Sequence, residues 1–228
     1  MAVKGLDMQI DQRGDNIVSF TGVRKDMKFP AMSEVRAYWE ALRDGRLVPM
    51  RSEIDPRGIE RALEYAFILE RVAPQVARFR LAGMHLTDLM GMEVRGMPMT
   101  SFFTPAARPT VAAAMEQVFS GPAIAELALA AETGFGKPAL EARLLILPLQ
   151  SDLGDISRAL GCLVADGHIG RAPRRFEIVE TIITAIFDKP GAQHQARTMP
   201  GFAEPPRPFA DGAPKGDRSH LRLVKSER

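Results

Sequence analysis

The chain has 228 residues, 46% of them hydrophobic and 25% charged, a composition that suits one folded domain with appendages, or two small domains, at roughly 100 to 200 residues each. Residues 1–188 hold 22 basic and 24 acidic side chains while residues 189–228 hold 8 and 4, so the basic pI of 8.8 belongs to the tail, and a nucleic-acid partner is not expected for the rest. A single cysteine, Cys162, excludes a disulfide framework and a Cys-rich zinc site and suits a reducing cytoplasm; no run approaches the roughly 18 apolar residues of a membrane span, and the polar start is unlike a signal peptide.

Residues 1–30 show no sustained period apart from a β-like run at Asn16-Ile17-Val18-Ser19-Phe20, and read as an N-terminal arm. Ser33 then reads as the cap of an amphipathic helix with Val35, Tyr38, Trp39 and Leu42 on one face and Gly45 at its end. Asp55-Pro56 repeats the start signal for a second helix through Ile59, Ala62 and Leu63. From Ala66 the period changes to that of strands, with two runs flanking Pro74. Pairing Leu69 with Phe79 sets Phe67 against Leu81 on an apolar face, and Glu70 against Arg78 and Ile68 against Arg80 on the other.

Between Met84 and Phe103, Gly91, Gly96 and Pro98 leave room only for short helical pieces. A longer helix follows Pro109, with Val111, Met115, Val118 and Phe119 on one face and Gly121-Pro122 as its stop. Strand-like runs at 124–131 and 139–147 surround the turn Thr133-Gly134-Phe135-Gly136-Lys137-Pro138, and a third occupies 160–165. Past Arg174, Phe176, Val179, Ile182, Ile183 and Ile186 follow a helical period, although their β-branching also suits a strand. The tail 189–228 is rich in Pro and Gly, is expected to be disordered, and ends in the alternating His220-Leu221-Arg222-Leu223-Val224-Lys225.

The order of two strands, short helices, a longer helix and three strands resembles the PAS domain. The wording at Trp39-Glu40-Ala41-Leu42-Arg43-Asp44-Gly45-Arg46-Leu47-Val48-Pro49, at Arg51-Ser52-Glu53-Ile54-Asp55-Pro56 and at Arg78-Phe79-Arg80-Leu81-Ala82-Gly83 resembles a bacterial branch of single-domain PAS-like proteins. The resemblance implies an α+β fold: a five-stranded antiparallel sheet with short helices on one face, N-terminal flanking helices and a disordered tail. The PAS-like domain would span 31–188. It also implies a cytoplasmic sensor or interaction module, not an enzyme, and no catalytic motif of the elbow, zincin or dinucleotide type is present.

Two site readings follow from the residues. Met90, Met97, Met99, Phe102 and Phe103, with His85 beside them, fall where a PAS ligand pocket would have its wall, yet flexible thioethers equally fill an irregular core. Glu70, Arg78 and Arg80 share a strand face and offer a partner surface or a set of surface ion pairs. No cofactor is named by the sequence. The flavin photocycle of some PAS proteins needs a cysteine among the short helices, where this chain has none, and Cys162 reads as a small buried hydrophobe. Haem is not expected, because His85 is the only candidate ligand: His194 and His220 lie in the tail and His168 follows the last predicted strand. The partner expected is a signalling protein, a histidine kinase or response regulator, with pairing to a second copy also open to the apolar helix faces.

Overall fold

A computed structural model describes residues 28–187. Residues 1–27 of the expected arm 1–30, with its β-like run, and the expected tail 189–228, with His194, His220 and the terminal alternating segment, lie outside the described residues. No helix among the described residues is long and apolar enough to cross a membrane.

Six strands form one antiparallel sheet: β1 Ala66–Ala73, β2 Val76–Ala82, β3 Ala123–Ala131, β4 Glu141–Leu149, β5 Arg158–Asp166 and β6 Phe176–Ala185. Their spatial order is β2-β1-β5-β4-β3-β6. Five of them are those expected from the alternating and apolar runs. The sixth corrects the helix expected after Arg174: Phe176 to Ala185 pairs with β3, Phe176 opposite Ala131 and Ala185 opposite Ala123. The Ile, Val and Thr content that fitted both periods resolves to a strand because the edge of β3 is open to pair with it. The sheet therefore has six strands instead of five.

The helices are α1 Pro30–Arg43, α2 Met84–Met90 and α3 Arg108–Ser120, joined by single 3-10 turns at Arg51–Glu53, Pro56–Ala62 and Met99–Phe102. α1 starts one turn before the expected Ser33 cap, with Pro30 at its first position, and ends through Asp44 and Gly45, both at positive φ. The second expected helix keeps its Asp55 cap, whose Oδ1 accepts from the Arg57 N–H at 3.0 Å, but winds as 3-10 and kinks at Ile59. At Gly58 a Cβ would sit 2.1 Å from the Tyr38 ring, which presses this turn against α1.

Alternation along each strand sends side chains to two faces, and each face is buried. Phe67, Leu69, Phe79, Leu127, Leu144 and Leu163 face α2, α3 and the 3-10 turn at Met99–Phe102. Ile68, Ile124, Leu145, Leu147, Leu160 and Cys162 face α1, where Val35 and Trp39 are fully buried. The Trp39 indole N–H donates to the Pro148 carbonyl at 2.9 Å. Lys28 at one end of α1 pairs with Glu141 at 2.7 Å and Asp166 at 3.0 Å, and Arg36 pairs with Glu126. The N-terminal flank is thus a second layer of the domain, lying over β5 and β4.

Candidate functional site

Leu69 pairs with Phe79 and Glu70 with Arg78, as the alternation predicts, but the register slips between Ile68 and Leu69. Ile68 meets Leu81 and Phe67 meets Ala82, which leaves Arg80 as an extra residue on β2. The bulge corrects two expectations. Leu81 is not part of the apolar face but stays 53% exposed, and Glu70 pairs with Arg80 and Arg158 while Arg78 donates to the Gly96 carbonyl at 2.8 Å. One half-buried carboxylate thus serves two guanidinium groups, with Arg78 beside them, while another acid on this face of β5, Asp166, pairs with Lys28.

The free edge of β2 is closed at its centre. Phe79 donates its N–H to the Met97 carbonyl at 3.0 Å, and the Gly96 N–H donates to the Phe79 carbonyl at 2.8 Å. This loop places Met97 half-buried at the border of the helix-covered core. Met99, Phe102 and Phe103 are fully buried there and Met90 nearly so, with the Phe79 and Phe102 rings 5.3 Å apart. The five side chains expected to share a wall do share one core.

His85 sits apart from them. Its Nε2 accepts from the Ala165 N–H at 3.1 Å and its ring meets Tyr65 edge-on at 4.9 Å. Burial pushes the imidazole pKa below its ordinary value, against the pull of Glu64 and Asp88. Cys162 faces the α1 layer, on the side of the sheet opposite Met99 and Phe102, and burial pushes its thiol up to about 12. The thiol therefore does not meet the short-helix segment, where the flavin photocycle would need it, and the residues present do not fit that chemistry. Among the described residues no group of His, Cys, Asp and Glu is arranged to hold a metal ion.

Two features escape a reading of the sequence. Arg174 is fully buried and ties three segments together by donating to the carbonyls of Pro138 at 2.6 Å, Glu132 at 3.2 Å and Ile169. Its own N–H donates to the Leu89 carbonyl at 2.7 Å, at the end of α2. An arginine whose partners are main-chain carbonyls of distant segments gives no signal of such a role in the sequence. Above it an open cleft of about 440 Å³ lies between the β3–β4 hairpin and the segment before β6, lined by Glu132, Phe135, Lys137 and Arg171. Lys137 and Glu132 neutralise one another there at 2.6 Å. The second feature is an apolar cavity walled by the 3-10 turn Pro56–Ala62, with Arg51 at its mouth.

A family model described as PAS domain matches residues 27–164. Among solved structures the chain is similar to the light state structure of the blue-light photoreceptor Aureochrome1 LOV, at 12% identity and TM-score 0.34, covering 49% of this chain and 88% of that one. It is also similar to an RNA-binding Light-Oxygen-Voltage receptor, at 17% identity and TM-score 0.35, covering 51% of this chain and 35% of that one. A search of curated proteins finds no match.

Proposed function

This chain belongs to the PAS domain family, a family of sensory and regulatory modules, and we propose that it acts by docking on a signalling protein, a histidine kinase or response regulator, through the outward face of β2, β1 and β5. The observation that carries the proposal is the cluster there: Arg78, Arg80 and Arg158 gathered around the half-buried carboxylate of Glu70. Three guanidinium groups around one carboxylate present local positive charge to an acidic partner, which speeds encounter and fixes orientation. The role is proposed as non-catalytic and cytoplasmic, in keeping with the lone buried thiol.

The rival reading, a sensor of an apolar ligand walled by Met90, Met97, Met99, Phe102 and Phe103 near His85, requires those side chains to open around the guest. Met99, Phe102 and Phe103 fill their core to zero exposure. Methionine can repack in that way, but nothing in the geometry favours it over docking.

The test is co-purification of the full chain with signalling proteins, in the wild type and in Arg78→Glu with Arg80→Glu. Capture of a kinase or response regulator that the double variant loses, at unchanged thermal stability, supports docking at this face. Capture that survives both charge reversals, or no signalling protein in the wild-type eluate, overturns it.

A further inference from the structure

The same outward face carries a feature that the docking proposal does not use. Where the 3-10 turn Pro56–Ala62 kinks at Ile59, it stands off the strands and leaves a cavity of about 260 Å³. Ala66 and Ile68 of β1 and Leu160 of β5 line it, all buried. Leu63 and Leu81 line it too and remain 45% and 53% exposed, so that they form its rim. The one charged residue in the lining is Arg51. Its main-chain N–H is fixed to the Gln150 carbonyl at 2.8 Å, while its guanidinium makes no hydrogen bond or ion pair with any described residue.

We propose that this cavity binds a small amphiphilic anion, an acyl chain with its carboxylate on Arg51. The apolar lining excludes a polar guest, because a polar group buried there would lose its hydrogen bonds to water without replacement. A pure hydrocarbon would leave the guanidinium without a partner. A carboxylate matches it by accepting two parallel N–H donors of the guanidinium, the geometry in which Arg excels over Lys. The space sets the chain length: at about 30 Å³ per water-sized group, the cavity accommodates about eight groups. Ile59, Ile68 and Leu160 belong to the same packed layer as Trp39, the only tryptophan, so an occupant is placed to alter the packing beneath α1. This site is on the opposite face from the core that holds Met99 and Phe102, and it stands or falls independently of docking at the arginine patch.

The experiment titrates the full chain with octanoate and, in parallel, with its neutral counterpart 1-octanol, by calorimetry and by Trp39 fluorescence. The expected result is saturation by octanoate at one site per chain, about tenfold tighter than octanol, as one charge-assisted contact supplies. Arg51→Gln should bring octanoate down to the octanol level and leave octanol unchanged. Leu63→Asp, at an exposed rim position, should weaken octanoate without altering the melting temperature. Equal binding of the two probes, an octanoate affinity indifferent to Arg51→Gln, or no saturation at all overturns the proposal. Absence of binding together with a sedimentation change in Leu81→Asp would assign the rim to a second copy of the chain instead, and overturn it too.

Discussion

His85 closes the end of β5: its Nε2 accepts the main-chain N–H of Ala165 at 3.1 Å, beyond the last point where β1 pairs with that strand. Only the neutral ring, with its proton on Nδ1, can accept there. Burial lowers the folded-state pKa below the ordinary 6.5, so the unfolded chain binds more protons in the interval between the two values. Stability from this group is therefore complete above about pH 6.5 and is lost as pH falls toward the lowered folded value. Urea titrations between pH 7.5 and 5.5 should show a declining midpoint in the wild type. In His85→Phe the decline should be smaller; equal slopes in the two proteins would mean that this contact does not govern the acid response.

Trp39 and Pro148 form the corresponding tie on the opposite side of the sheet. Both are buried, and the indole N–H is the donor that α1 contributes to the β4 main chain. Replacing Trp39 by Phe keeps a ring in the layer but withdraws the donor from a buried carbonyl, a loss of about 1–3 kcal/mol. Thermal melts followed by far-UV circular dichroism should register it as a lower melting temperature. A variant as stable as the wild type would show that the indole serves only by its bulk.

The residues that were legible from sequence are those whose neighbours along the chain decide their place. Leu69 opposite Phe79, the Asp55 cap and the Gly134–Lys137 turn all follow from local alternation or turn chemistry. What was not legible depends on a distant partner. Ile182 and Ile183 fit a helix period as well as a strand until β3 is present to pair with them. The bulge at Arg80 moves the Glu70 ion pair by two residues, and no rule of spacing announces a bulge. Of the two site readings, the Met and Phe cluster and the charged strand face were both visible as residue types. Arg51 and Arg174 were not, since a lone arginine carries no pattern, and their roles come from a cavity and from three carbonyls brought together only by folding.

Arg174 should be the most sensitive single position of the described domain. Its guanidinium is fully buried, and burial lowers its pKa from the usual arginine value, with Glu132 pulling the other way. Removing it leaves the carbonyls of Ile169, Glu132 and Pro138 without their donor, in the hairpin and the segment that feeds β6. Each buried acceptor left without its donor costs about 1–3 kcal/mol. Arg174→Met, which keeps length but no donors, should lose that much in denaturant unfolding, and Arg174→Lys should recover only part of it because one ammonium cannot span the fork. Near-wild-type stability in Arg174→Met would show the three carbonyls to be satisfied by water.

Cys162 reports how α1 leaves the sheet. It lies on β5, which is hydrogen-bonded on both sides by β1 and β4, and its thiol faces the layer that α1 covers. With zero exposure and a pKa pushed up to about 12, the native thiol is both inaccessible and almost wholly protonated at pH 8. A thiol reagent should therefore modify the folded chain only through opening events, since the thiolate is the reacting form. Two kinds of opening are distinguishable by denaturant. If only global unfolding exposes the thiol, the labelling rate rises with urea as steeply as the unfolding equilibrium; if α1 lifts away by itself, the rate is higher and nearly independent of urea at low concentration. The ties at Lys28, Arg36 and Trp39 favour the first pattern, because α1 is pinned along its length by two sets of exposed or half-exposed ion pairs and one buried hydrogen bond. Trp39→Phe removes the buried one, the strongest of the three, and should convert the first pattern into the second. Urea-independent labelling already present in the wild type would mean instead that α1 is a detachable layer.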